Sequence, residues 1–123
     1  MHSTYTYSTL PYRKPAELSS GKASRHTVVV IGGGPVGLAA AIDCAQRGLQ
    51  VLLLDDDNTV SVGSRGLCYA KRPLEIFDRL GVVEPMLAKG VRWQVGKVFF
   101  RDELTYQFDL LPEQHHKLPA MIN

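Results

Sequence analysis

Three glycines, an aspartate and an arginine are the residues whose types and spacing could do chemistry. Gly32, Gly34 and Gly37 fit the pattern G-x-G-x-x-G, with Pro35 and Val36 between the last two. They follow the apolar run Thr27–Ile31 and open an alanine-rich stretch with Ala39, Ala40, Ala41 and Ala45. In that context the turn points backbone N–H groups and a helix N-terminus at a pyrophosphate. Gly32 permits the tight turn, Gly34 the close approach of phosphate, and Gly37 the close approach of helix to strand. Asp55 ends the next apolar run, Val51-Leu52-Leu53-Leu54, near the roughly 20-residue offset of a ribose-binding acid. Its carboxylate can accept hydrogen bonds from ribose hydroxyls and would repel a 2′-phosphate. Arg65 sits in Gly63-Ser64-Arg65-Gly66. In a βαβ fold this loop lies over the C-terminal strand ends, where an arginine can fork onto phosphate oxygens; a plain surface arginine is an equal alternative.

Other candidate clusters read as bland. Asp55-Asp56-Asp57 points its carboxylates in different directions, whereas a hard cation needs converging oxygens. His115-His116 lacks a third ligand. Cys44 and Cys68 form no C-x-x-C pair, so neither a redox dithiol nor a zinc site is expected, only two reduced thiols, one on a helix and one in a loop.

The elements that must position the glycine turn follow from the pattern around it. Thr27–Ile31 predicts a strand buried on both faces. Pro35 suits a first helical position, residues 36–47 favour helix, and Gly48 stops it. Gln50–Asp55 predicts a second strand, completing one βαβ unit. Residues 56–66 read as a loop. Leu74, Phe77 and Leu80 recur at spacing three and predict a helix over 71–80, ended by Gly81. A helical turn is expected around Glu84–Ala88. Val91–Arg101 and Leu104–Leu110 predict a hairpin turning near Arg101-Asp102-Glu103. Residues 111–123 read as irregular. Residues 1–25 have no apolar period, Pro11 and Pro15 oppose helix, and a flexible N-terminal extension is expected. The predicted class is α/β: a partial Rossmann-like βαβ unit, then a helix and an antiparallel β-hairpin.

Composition bounds these readings. The chain has 123 residues, 45% hydrophobic and 21% charged, with a net charge of +2 spread along its length. That fits one domain with a modest core and gives no nucleic-acid surface. No apolar run nears the roughly 20 residues of a membrane helix, and the polar N-terminus lacks a secretory apolar stretch. A cytoplasmic protein is the default expectation.

The motifs together resemble a known family. Gly32-Gly33-Gly34-Pro35-Val36-Gly37-Leu38, the acid-ended strand, and Gly63-Ser64-Arg65-Gly66 followed by Arg72-Pro73-Leu74-Glu75-Ile76-Phe77-Asp78-Arg79-Leu80-Gly81 look like the N-terminal part of the FAD-dependent aromatic-ring monooxygenases. These are the single-component hydroxylases similar to para-hydroxybenzoate hydroxylase. Val95–Phe100 and Lys117–Asn123 resemble the 3-(3-hydroxyphenyl)propionate hydroxylase subgroup. The resemblance runs from about residue 26 to the end. It implies an incomplete FAD-binding domain over 26–123, with the start of substrate-domain strands.

By that resemblance Gly32, Gly34 and Gly37, with Pro35 and Val36 between them, pack on the FAD pyrophosphate. Asp55 holds the adenosine ribose, although the family more often has Glu there, and Arg65 contacts the FAD. The implied enzyme is an oxidoreductase that hydroxylates a phenolic ring with NAD(P)H as reductant and O2 as co-substrate. No residue of this stretch carries a clear acid–base role. The family's later Asp-Gly and Gly-Asp flavin segments are not in this chain. The resemblance therefore implies a piece of a longer enzyme that holds FAD weakly and is inactive alone.

Alternatives remain at this level. An NAD-binding module of a dehydrogenase shares the glycine turn, but would continue with helix and a third parallel strand rather than the arginine loop and hairpin. A disulfide reductase would need a dithiol that Cys44 and Cys68 do not supply. A non-catalytic truncated remnant is the reading from a different class.

Overall fold

The computed structural model describes residues 7–60, 66, 68–113 and 115–123. The chain divides into two compact units, Met1–Gly63 and Ser64–Asn123.

The first unit holds α1 (Ala16–Ser20), β1 (Val28–Ile31), α2 (Pro35–Gln46) and β2 (Val51–Leu54). β1 and β2 pair in parallel, Val28 opposite Val51 through Ile31 opposite Leu54. The connection is α2, so this is the predicted βαβ unit. Pro35 sits at the start of α2, where its missing N–H is no loss. Gly48, at φ +80°, takes the left-handed conformation just beyond the helix end. The strands are covered differently from the expectation. Val28 and Val30 are half-buried, whereas Val29 and Ile31 are 49% and 85% exposed. The reason is architectural: α2 contacts both strands of a two-stranded sheet, so one covering layer buries alternate residues of β1, while Val51, Leu52 and Leu53 of β2 are all half-buried. The short helix α1 also went unforeseen. It begins immediately after Pro15, so the proline precedes the helix instead of breaking it.

The second unit holds β3 (Tyr69–Ala70), α3 (Lys71–Arg79), α4 (Val83–Lys89), β4 (Arg92–Trp93), β5 (Val95–Phe100), β6 (Glu103–Asp109) and β7 (Met121–Ile122). α3 carries the predicted apolar stripe. Leu74 and Leu80 are 0% and 3% exposed, and Phe77 meets Tyr69 edge to face at 5.6 Å. Pro73 and Pro85 both fall in first helical turns, which need no N–H. Leu74, Val83, Leu87, Leu118 and Ile122 form the buried core of this unit.

The predicted hairpin is β5–β6, pairing Val95 with Asp109 through Phe100 with Glu103. A bulge lies between Val98 and Phe99, and Arg101 turns the chain at φ +55°. The Phe108 ring lies over Gly96, where a Cβ would stand only 2.1 Å from it. Residues 111–123 contain one element the sequence did not show. β7 pairs antiparallel with both β3 and β4, at Tyr69–Ile122, Ala70–Met121, Arg92–Ile122 and Trp93–Met121. Strands of two residues have no period to read. Among the described residues, no helix is long and apolar enough to cross a membrane.

Candidate functional site

The glycine turn stands at the C-terminal end of β1, beside the end of β2. Gly32 leaves the strand at φ +102°, a region that favours glycine, and its N–H donates to the Leu54 carbonyl at 2.7 Å. Gly34 is the cap of α2 and has no side chain to satisfy the first-turn donors. The first intrahelical bond runs from Leu38 N–H to the Gly34 carbonyl at 2.9 Å. Pro35 contributes no N–H, so Val36 and Gly37 carry first-turn N–H groups without an intrahelical acceptor. Val36 is 83% exposed. The positive end of the helix dipole thus opens to solvent, as an anion site requires.

The glycines serve different ends. A Cβ at Gly37 would lie 2.0 Å from the Gly32 carbonyl oxygen and 3.3 Å from Val30 Cγ1. Glycine is needed there for helix α2 to lie against β1. At Gly34 the backbone is ordinary, φ −73° and ψ 177°, and a Cβ would meet nothing within 4 Å among the described residues. Packing among the described residues therefore supplies no reason for glycine at 34.

Asp55 is exposed directly after β2. Its Oδ2 accepts a short hydrogen bond from Gly33 N–H, and its Oδ1 accepts one from Asp57 N–H at 2.9 Å. The Gly33 bond first, then the Asp57 bond, lowers its pKa below the usual aspartate value. An ionised carboxylate offers about four acceptor directions, so two remain for a ligand. The structure thus brings Gly32, Gly34, Pro35, Val36, Gly37 and Asp55 to one end of the sheet. Arg65 lies outside the described residues.

The glycine pattern assigns no role to Gly33. A Cβ there would stand 3.0 Å from Asp55 Oδ2, so its bareness gives that carboxylate room. Asp56 and Asp57 are exposed, as expected of solvated loop acids. His116 differs from the expected exposed residue. It is partly buried, its Nδ1 2.8 Å from Lys71 Nζ. Both described cysteines are free, Cys44 on α2 and Cys68 outside any helix or strand.

A parallel βαβ unit with orphan helix-start donors, a glycine that admits close helix packing and an acid at the second strand end defines a dinucleotide-binding protein. A family model for an FAD binding domain matches residues 25–122. The chain belongs to that FAD-binding family. It is 31% identical over 94 residues to a flavin-dependent monooxygenase of Mycobacteroides abscessus, covering 76% of this chain and 20% of that protein. It is 32% identical over 83 residues to a 3-(3-hydroxy-phenyl)propionate/3-hydroxycinnamic acid hydroxylase of Mycolicibacterium vanbaalenii, covering 68% and 15%. The crystal structure of p-nitrophenol 4-monooxygenase from Pseudomonas putida superposes with a TM-score of 0.68 at 29% identity, over 79% of this chain and 25% of that one. The chain thus spans a quarter or less of the length of each.

Proposed function

We propose that this chain forms the pyrophosphate- and adenosine-binding front of an FAD site in a monooxygenase that hydroxylates phenolic or related aromatic rings. NAD(P)H is the reductant and O2 the co-substrate. The observation that carries the reading is Gly34: a glycine with ordinary dihedrals and, among the described residues, no neighbour within 4 Å of its missing Cβ, at the mouth of a helix whose first-turn donors have no intrahelical acceptor. Its missing side chain serves a group outside the chain, and the helix start selects that group as an anion.

The residues divide the work. Val36 and Gly37 N–H groups face the pyrophosphate, Gly32 and Gly34 keep the backbone bare for its approach, and Pro35 presets the helix entry. Asp55 presents its two remaining acceptor directions to ribose hydroxyls, and its charge disfavours a 2′-phosphate. Arg65 adds a fork to phosphate oxygens. When bound, FAD supplies the redox chemistry that couples NAD(P)H oxidation to oxygen insertion. This stretch holds and orients the nucleotide; no acid–base role falls on it. The family match and the relatives' names favour FAD over an NAD module of a dehydrogenase. The reading includes a small aromatic partner and a cytoplasmic location, where NAD(P)H is available.

Titration of the purified 123-residue chain with FAD, followed by flavin fluorescence, tests the proposal. Saturable binding weaker than about 1 μM, about −8 kcal/mol, with no NADH oxidation is expected. An Asp55→Ala variant should bind more weakly still, because a hydrogen bond to a charged group contributes about 1.5–3 kcal/mol. No saturable binding, or wild-type affinity in Asp55→Ala, overturns the reading. Sub-micromolar binding with flavin-dependent NADH oxidation overturns the claim that this stretch only holds the nucleotide.

A further inference from the structure

We propose that residues 7–24 act as a strap that fixes the loop after β2, and through it Asp55, in the geometry that receives a nucleotide ribose. The inference rests on the nucleotide reading of the Asp55 site and adds an element outside it, since the family match begins at residue 25.

The strap is tied at both ends of the βαβ unit. At one end, Leu10 N–H donates to the Asn58 carbonyl at 2.6 Å. At the other, the Glu17 carboxylate on α1 lies 3.4 Å from His26 Nε2, and His26 stands just before β1. Asn58 follows the C-terminal end of β2, whereas His26 precedes the N-terminal end of β1. Because the strands are parallel, these ties lie at opposite ends of the sheet.

Side-chain burial does not hold the strap. Leu10 is 68% exposed, Tyr12 78% and Leu18 66%. The backbone bond to Asn58 is therefore the contact that matters at the loop. Residues 56–60 are all exposed, and among the described residues that bond is their one hydrogen-bonded tie to a distant part of the chain. Asn58 adjoins Asp57, whose N–H holds Asp55 Oδ1. Pinning the Asn58 peptide thus limits the motion of the turn that aims the carboxylate. Asp55 still binds without the strap, but from a loop that must be ordered first, and that ordering lowers affinity.

Two variants of the full chain separate the strap from its side chains. Leu10→Pro removes the N–H and leaves the rest of the strap; Leu10→Ala keeps the N–H. Amide hydrogen exchange at Asp57 should quicken in Leu10→Pro and match wild type in Leu10→Ala. The FAD dissociation constant should rise about two- to tenfold in Leu10→Pro only, the range of one ordinary hydrogen bond. Unchanged Asp57 exchange in Leu10→Pro overturns the strap, whether or not the chain binds FAD. Quickened exchange with wild-type FAD affinity also overturns it, because the ordered loop would then give the nucleotide nothing. If wild type fails to bind FAD, the nucleotide reading falls, and this inference with it.

Discussion

Asp55 spends one carboxylate oxygen on Gly33 N–H and the other on Asp57 N–H, and both bonds favour its ionised form. The sign of the pH dependence follows. A carboxyl whose pKa is lowered by folding stabilises the folded turn above its unfolded value. That contribution fades as pH falls through the folded value. The Gly33 amide resonance, followed by NMR, should hold steady through neutral and mildly acidic pH. It should move only below the usual aspartate range, and Asp55→Asn should abolish the movement. An inflection at or above the ordinary aspartate value would contradict the paired geometry. The Asp57 donor is a local partner two residues along the chain, whereas the Gly33 donor was not legible from sequence: it meets Asp55 because β1 and β2 end side by side.

At the scale of the element, helix α2 is placed against β1 by what Gly37 lacks. Gly37→Ala drives a methyl into the Gly32 carbonyl oxygen, 2.0 Å from the new Cβ, so helix and strand must separate. Overpacking of this kind costs about 1–3 kcal/mol or more. Gly34→Ala meets nothing within 4 Å among the described residues at an ordinary φ, and it should leave stability unchanged or raise it by about 0.4–1 kcal/mol. Its cost should appear only in FAD affinity. Thermal unfolding and FAD titration of the two variants give the comparison. A Gly34→Ala chain that binds FAD like wild type removes the reason assigned to that glycine. The sequence pattern expects a phosphate role for Gly34 and a packing role for Gly37, and the neighbours of each hypothetical Cβ differ in that sense among the described residues.

At the scale of the whole molecule, the two units are built on different terms. No residue of α2 is fully buried, and β1 leaves Ile31 85% exposed. The second unit centres on Leu74, 0% exposed, packed with Val83, Leu87, Leu118 and Ile122. Leu74→Ala should cost about 2–5 kcal/mol, a large share of a typical total of about 5–15 kcal/mol. Trp93, the single tryptophan, lies on β4 of the same unit and reports its denaturant midpoint. Phe100→Ala on the hairpin, 68% exposed, should move that midpoint little. Equal shifts for the two would show that Leu74 is not the centre of this core.

The sequence by itself determined the βαβ unit, the α3 stripe and the β5–β6 hairpin, because each rests on local periodicity and turn chemistry. It also singled out the glycine turn and Asp55 from spacing alone. Only the tertiary structure decided that Asp55 closes onto Gly33, that β7 joins β3 and β4 across distant stretches, and that Leu10 reaches Asn58. Each of those contacts joins groups far apart in the chain and uses at least one backbone N–H or carbonyl, and these groups are the same in nearly every residue. Pattern in the side chains therefore foretold the elements, while the meeting of the backbones had to be seen.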